Sequence, residues 1–370
     1  MKHKEHFHGS DLEKIEKYYG IKKEDIVSFS ANVNPLGLSE KLKASLSEHL
    51  DVLTAYPDRE YTGLRQAIAA YCQSEADYVS VGNGSTELIA LFIKALAPKR
   101  ALVIAPTYSE YEHELENNKS QTDYFILDAA DDFVLNVDKL KQSLSAADYD
   151  MLMICNPNNP TSGTISQEDL RSIIAFCQDK NTFVLIDETY AEFVPEAKNT
   201  IAIPLTQEFE NVAVLRGVSK FFASPGLRLG YAICQNQELR ATIAALQNAW
   251  SINSLAEAAG KLMFTDSEYI ERTRSFIAAE RDRLYSELSQ IPALKPYPPT
   301  ANFILVKILT DKITAQDLFD AAIKDGMMIR DCASFVSLDE SYFRLCIMSE
   351  KDNTRLMNCI RQCFIEEKES

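Results

Sequence analysis

Apolar and polar positions change period several times along the chain, and each change marks an element. Residues 11–20 set Leu12, Ile15 and Tyr19 at helical spacing among charges and stop at Gly20, which predicts a short helix. From Phe29 to Gly37 the period disappears, and Asn32, Asn34, Pro35 and Gly37 make this stretch a loop. Residues 39–50 return to a helical stripe with Ser39 as N-cap. Tyr56-Pro57-Asp58 is a turn, and Gly63 to Tyr71 is a further helix. Val79 to Val81 is short and extended. It leads through Gly82-Asn83-Gly84-Ser85-Thr86-Glu87 into an apolar helix over 86–96.

The middle of the chain alternates apolar strands with helices. Ala101–Ala105, Met151–Ile154, Phe183–Ile186 and Val212–Leu215 each read as strands buried on both faces, with helices over Glu110–Asn117 and Ser166–Asp179 between them. That is the pattern of a mostly parallel sheet with helical crossovers. Gln237 to Leu288, rich in Ala, Leu, Glu and Arg, predicts long helices interrupted near Ser251-Ile252-Asn253-Ser254. Beyond Pro296-Tyr297-Pro298-Pro299, strands at Ala301–Val306 and Phe343–Met348 alternate with helices over 315–325 and 351–367, a smaller α/β unit.

Composition narrows the function. With 370 residues, 46% hydrophobic and 25% charged, the chain has core enough for two or three globular domains. No apolar run is long enough to span a bilayer, and Met1 to His8 offers no apolar stretch suited to a signal peptide, so a cytoplasmic protein is expected. The eight cysteines are scattered and form no CxxC, which predicts reduced core thiols. His3, His6 and His8 lack a second ligand cluster, and no metal is expected. A net charge of −16 argues against nucleic acid or an anionic membrane as partner.

Five positions carry candidate chemistry. Lys220 stands behind small residues, with Arg228 and the glycines Gly226 and Gly230 following. Desolvation there would lower its pKa and free an amine able to form a Schiff base; a solvated lysine in a strand–loop connection is the alternative. Asp187 ends an apolar strand, where an unpaired carboxylate is costly, so it has a cationic partner or caps a helix. Gly84-Ser85-Thr86 lies between strand and helix, where free N–H groups favour an anion, although many such turns only reverse the chain. Arg344, a charge inside an apolar strand, calls for an anionic partner, and a carboxylate suits its planar fork. Arg330 is a second such cation, which Asp331 could also pair.

Asn156-Pro157-Asn158-Asn159-Pro160-Thr161, then Asp187, Lys220 and Arg228, stand in the order that resembles the fold-type-I pyridoxal-phosphate enzymes, the aspartate aminotransferase superfamily, from about residue 8 to about residue 350. His8-Gly9-Ser10 and Phe29–Gly37 are similar to the threonine-phosphate decarboxylases, a family beside the histidinol-phosphate aminotransferases. The resemblance implies an α/β fold: a large domain with a mostly parallel seven-stranded sheet and a smaller C-terminal α/β domain. It divides the chain into 1–45 (arm and part of the small domain), 46–250 (cofactor domain), 251–285 (interdomain helix) and 286–370 (small domain).

It also implies pyridoxal 5'-phosphate as cofactor, with Lys220 holding it, Asp187 pairing its ring nitrogen and Tyr108 stacking on its ring. Asn159 and Tyr190 would meet its ring oxygen, and Gly84, Ser85, Thr86, Ser219 and Arg228 its phosphate. Tyr56 would reach the phosphate of the neighbouring subunit in a homodimer. For the substrate, a small phosphorylated amino acid, Arg344 would hold the carboxylate and Arg330 the phosphate, under a lid of His8, Gly9, Ser10 and Asn32.

Decarboxylation of O-phospho-L-threonine is the expected reaction, with O-phospho-L-serine as substrate, or transamination of histidinol phosphate or an aromatic amino acid, as alternatives. A non-catalytic regulator is disfavoured, because Lys220 and Asp187 are both present and no basic DNA-binding segment is appended. Two departures stand out. Gly217 occupies a position where relatives often carry Ser or Thr toward the phosphate, so Ser85 or Ser219 would have to compensate. Ser162 also lengthens the turn between Thr161 and Gly163 by one residue.

Overall fold

The computed structural model describes Phe7, Gly9 and residues 11–369. Helix α1 (Leu12–Tyr19) buries Ile15 and ends at Gly20, whose φ of 69° is a left-handed stop that a side chain would strain. Strand β1 (Val27–Ser28) precedes the irregular stretch predicted from Phe29 to Gly37. Helix α2 (Glu40–Glu48) starts where Ser39 Oγ accepts from Leu42 N at 3.0 Å. Helix α3 (Thr62–Cys72) and strand β2 (Val79–Gly82) lead to helix α4 (Ser85–Leu96).

The chain then alternates through β3 (Arg100–Ala105), α5 (Glu110–Asn117), β4 (Gln121–Ile126), α6 (Val137–Ser145), β5 (Met151–Cys155), α7 (Gln167–Asp179) and β6 (Phe183–Asp187) before β7 (Val212–Gly217) and β8 (Gly230–Cys234). These strands and β2 form one seven-stranded sheet in the order β2-β8-β7-β6-β5-β3-β4. Strand β8 is antiparallel to both neighbours, and every other pairing is parallel. All residues of β5, β6 and β7 are buried, as strands covered on both faces must be. Six strands therefore end on one edge of the sheet, and the residues that follow them converge there.

Two strands of this sheet are not anticipated by the hydrophobic pattern. Edge strand β4 has no fully buried position and so needs no apolar run. Strand β8 is buried but short and opens on Gly230, where an added side chain would run into the backbone of Gly84 and Ser85. Helix α6 is likewise unsigned by pattern, burying only Leu140 and Leu144.

Helices α8 (Gln237–Leu246), α9 (Ser254–Met263) and α10 (Ser267–Ser289) fill the long helical stretch. It breaks at the predicted Ser251–Ser254 and again before α10, where the Asp266 carboxylate accepts from Tyr269 N at 3.3 Å. The C-terminal part contains β9 (Leu294–Pro296), β10 (Phe303–Ile308), α11 (Ala315–Lys324), β11 (Met327–Met328), β12 (Arg330–Asp331), β13 (Tyr342–Cys346) and α12 (Glu350–Glu369). An antiparallel sheet runs β12-β13-β10-β9, and β1 pairs in parallel with β11, which brings the start of the chain beside its end. All eight cysteines are free thiols. Among the described residues no helix is long and apolar enough to cross a membrane.

Buried charge braces β6 against β7. Glu188, fully buried, accepts from Arg216 Nε at 3.0 Å and Nη2 at 2.7 Å, while Glu192 Oε1 lies 3.6 Å from the same guanidinium. Arg216→Ala strands two buried carboxylates without a counter-charge and is expected to cost about 3–5 kcal/mol of stability. Urea unfolding measures this; an unchanged midpoint would mean the carboxylates are compensated elsewhere.

Candidate active site

A cavity of about 310 Å³ opens at the edge where the parallel strands end, and most of the predicted residues line it. Gly82 ends β2 before Ser85 and Thr86, Ala105 ends β3 before Tyr108, and Cys155 ends β5 before Asn159. Asp187 ends β6, and Ser219 and Lys220 follow β7. A larger groove of about 720 Å³ elsewhere, lined by Arg65, Arg240 and Trp250, contains none of the cavity residues.

Lys220 Nζ donates to Ala31 O at 2.6 Å. The loop that carries Ala31 is strapped to the lysine segment, since Asn34 N donates to Lys220 O at 3.0 Å and Asn34 Nδ2 to Phe221 O at 2.8 Å. Burial, then the positive charge of Arg344 and Arg228, brings the Lys220 amine down to about 8. Asp187 is pushed up by burial, against hydrogen bonds from Thr189 and Tyr111. Its Oδ2 accepts from Tyr111 OH at 2.8 Å, and its Oδ1 from Thr189 N at 2.9 Å and from Thr189 Oγ1. Burial likewise raises the Tyr108 phenol to about 12, so it stays protonated at neutral pH.

Three guanidiniums border the cavity; their hydrogen bonds go to backbone carbonyls, an amide oxygen and a hydroxyl, and Asp331 and Asp11 add charge attraction at Arg330. Arg228 reaches only Pro225 O and Asn83 O, both at 3.4 Å, and packs against Gly84, whose φ of 81° opens α4 without a side-chain cap. Arg344 donates to Asn159 Oδ1 and, at 2.7 Å, to Ser30 O, while its buried Nε has no partner. Arg330 donates to Phe7 O and, at 2.9 Å, to Ser334 Oγ, and lies 5.4 Å from the Phe335 ring. Arg330 and Arg344 are cross-strand partners in the β12–β13 register, and both are buried. Two like charges directly opposite destabilise a sheet unless an anion lies between them.

The remaining expected residues divide four ways. Gly9, Asn32 and Tyr190 line the cavity, and Asn32 Nδ2 donates to Tyr190 OH at 3.3 Å. Gly84 stands behind its wall, against Arg228. Tyr56 does not reach its own chain's cavity: it is 79% exposed and packs on Trp250 at 4.7 Å between ring centroids. His8 and Ser10 lie outside the described residues. Pattern reading missed Tyr111, Thr189, Ser334 and Phe335, all of which line the cavity. Only Thr189, two residues past Asp187, carried a local signal, as a residue able to turn back on an aspartate.

Both departures are absorbed. A Cβ at Gly217 would meet Ser85 Oγ and Leu229 O at 3.7 Å, so the Ser85 hydroxyl stands next to the missing side chain. The additional residue Ser162 is buried with φ 61°, and its Oγ accepts from Thr300 N at 3.0 Å and Ala301 N at 2.8 Å.

A family model described as aminotransferase class I and II matches residues 24–360. The chain is similar to a threonine-phosphate decarboxylase from Salmonella typhimurium, 34% identical over 354 residues that cover 96% of this chain and 95% of that one. A histidinol-phosphate aminotransferase from Methanothermobacter thermautotrophicus is 29% identical, covering 95% and 92%. The solved structure of the histidinol-phosphate aminotransferase from Clostridium acetobutylicum superposes with a TM-score of 0.84 at 31% identity, covering 90% of this chain and 98% of that one.

Proposed function

The chain belongs to the aminotransferase class I and II family and is a pyridoxal-phosphate-dependent enzyme, and we propose that it decarboxylates O-phospho-L-threonine to the phosphate ester of aminopropanol. The observation that carries the substrate reading is the Arg330–Arg344 pair, both buried and directly opposite each other in the β12–β13 register. A small molecule with a carboxylate and a phosphate two carbons apart answers both charges at once. Histidinol phosphate brings only the phosphate. The Salmonella typhimurium relative agrees with this choice.

The residues fit the cofactor. The uncapped first turn of α4, with Ser85, Thr86 and Arg228, suits its phosphate, and Ser85 and Ser219 supply hydroxyls where Gly217 has none. Asp187 would pair the ring nitrogen, and Tyr108 would cover the ring. Asn159 gives its carbonyl to Arg344, which leaves its amide N–H groups for the ring oxygen. Tyr190 accepts from Asn32 and keeps its own proton to donate there. Tyr56, exposed on the surface, is read as serving a second copy in a cytoplasmic homodimer.

When bound, the cofactor supplies an electron sink conjugated with the substrate Cα. Arg344 would grip the carboxylate and Arg330 the phosphate, and together they would fix the orientation of the substrate about Cα. Lys220, with its amine near 8, can hold a proton for Cα or release one around neutral pH. Gly9 and Asn32, which line the cavity, would help close it against water. The reading extends to O-phospho-L-serine, because one methyl is worth only about 1–3 kcal/mol of discrimination.

The test is carbon dioxide release from O-phospho-L-threonine by the loaded enzyme without a 2-oxo acid. Steady release supports the reading. A single turnover that needs a 2-oxo acid to resume, without carbon dioxide, would make the enzyme an aminotransferase.

A pH dependence follows for the apoprotein. Only a free Lys220 amine attacks the cofactor aldehyde, so the rate of cofactor capture should rise with pH and level off above about 8. A lysine with an ordinary amine, near 10.4, would keep accelerating far beyond that pH. Stopped-flow absorbance distinguishes the two profiles.

A further inference from the structure

One polar contact of the cavity has no role in the reading above. Tyr111, fully buried on α5, donates its hydroxyl to Asp187 Oδ2 at 2.8 Å and meets the Tyr108 ring edge-on at 5.6 Å. A buried phenol needs one acceptor, and a backbone carbonyl is the usual one. Here it is the carboxylate at the end of β6. Thr189 supplies the other donors to Asp187, but it lies two residues along the same turn and belongs to the same local unit. Tyr111 is the donor that comes from another element, so it fixes the carboxylate relative to the cavity.

Each hydrogen bond to a carboxylate favours its ionised form against the desolvation that opposes it. The phenol itself, held well above its ordinary pKa by burial and by the Asp187 charge, keeps its proton and acts as donor throughout the neutral range.

We infer that Tyr111 is a positioning residue, which holds Asp187 ionised and oriented toward the ring nitrogen of the bound cofactor. This rests on the reading of Asp187 as that nitrogen's partner. Tyr111 moves no proton; it sets the charge and angle of the group that does the pairing.

The test compares wild type, Tyr111→Phe, Asp187→Asn and the double variant, first as apoprotein. Removing the donor should raise the Asp187 pKa further in the folded state. In acid, where Asp187 is protonated in both proteins, the stability gap between wild type and Tyr111→Phe should be small. It should widen as pH rises toward neutral, where the folded protein must ionise a less supported carboxylate. In the Asp187→Asn background the effect of Tyr111→Phe should be independent of pH.

With cofactor, Tyr111→Phe should bind it about tenfold more weakly and lose about tenfold in kcat with little change in KM, the usual size for one hydrogen bond to a charge. A gap that stays constant with pH in the wild-type background would overturn the inference and leave Tyr111 a packing residue. Asp187→Asn with wild-type cofactor affinity and activity would instead overturn the reading of Asp187, whatever the apoprotein measurement shows.

Discussion

If the proposed reading holds, a Lys220→Ala protein should release carbon dioxide from O-phospho-L-threonine at least about a thousandfold more slowly than the wild type, because it would lose both the amine proposed to hold the cofactor and the group proposed to move a proton at Cα. The folded chain offers no substitute among the residues described around the cavity: its other cations are guanidiniums, which stay protonated. The visible absorbance that reports the covalent link should vanish, although α4, Arg228 and Asp187 would still bind the cofactor by weaker contacts. Circular dichroism guards against misfolding, since the substitution also removes the bond to Ala31 O. Activity within tenfold of wild type would end the assignment of Lys220 as the catalytic lysine.

Arg344→Ala should raise KM for the same substrate by roughly a hundredfold, within the 2–5 kcal/mol lost when one partner of a buried charged pair is removed. Asn159 Oδ1 and Ser30 O would lose their donor as well, so kcat should fall alongside. Arg344→Lys should recover only part of the loss, because a point charge cannot reproduce two parallel N–H bonds to a carboxylate. Steady-state kinetics on both variants tests this. Unchanged KM in Arg344→Ala would mean that another group holds the carboxylate and would remove the main support for a doubly anionic substrate. Arg330→Ala provides the complement: it should weaken phosphorylated substrates while leaving the weak binding of unphosphorylated threonine unaltered.

The alternation of buried strands and helices was legible because parallel strands covered on both faces carry near-continuous apolar runs, as β3, β5, β6 and β7 do between the charges at their ends. Edge strand β4 was not, since it has no fully buried position and needs no apolar run, and β8 was not, since it is short and opens on a glycine. Lys220, Asp187 and Arg344 stood out as charges in apolar settings, where each demands a partner. Tyr111 and Phe335 did not. An aromatic residue in a helix or a loop reads as core, and nothing in its neighbours tells which carboxylate or guanidinium it will meet.

By itself the order of residues determined that this chain forms a mostly parallel α/β sheet, with an aspartate ending one apolar strand and a lysine following a neighbouring one. That much follows from local hydrophobic period and from the cost of an unpaired charge, both of which act over short stretches of chain. Only the tertiary structure decided what each charge faces. It set Arg330 opposite Arg344, aimed Tyr111 at Asp187 across 76 positions of sequence, and left Tyr56 on the surface, away from its own cavity. Those pairings depend on strand register and helix packing, which bring distant residues within hydrogen-bond reach and leave no trace in the sequence around either partner.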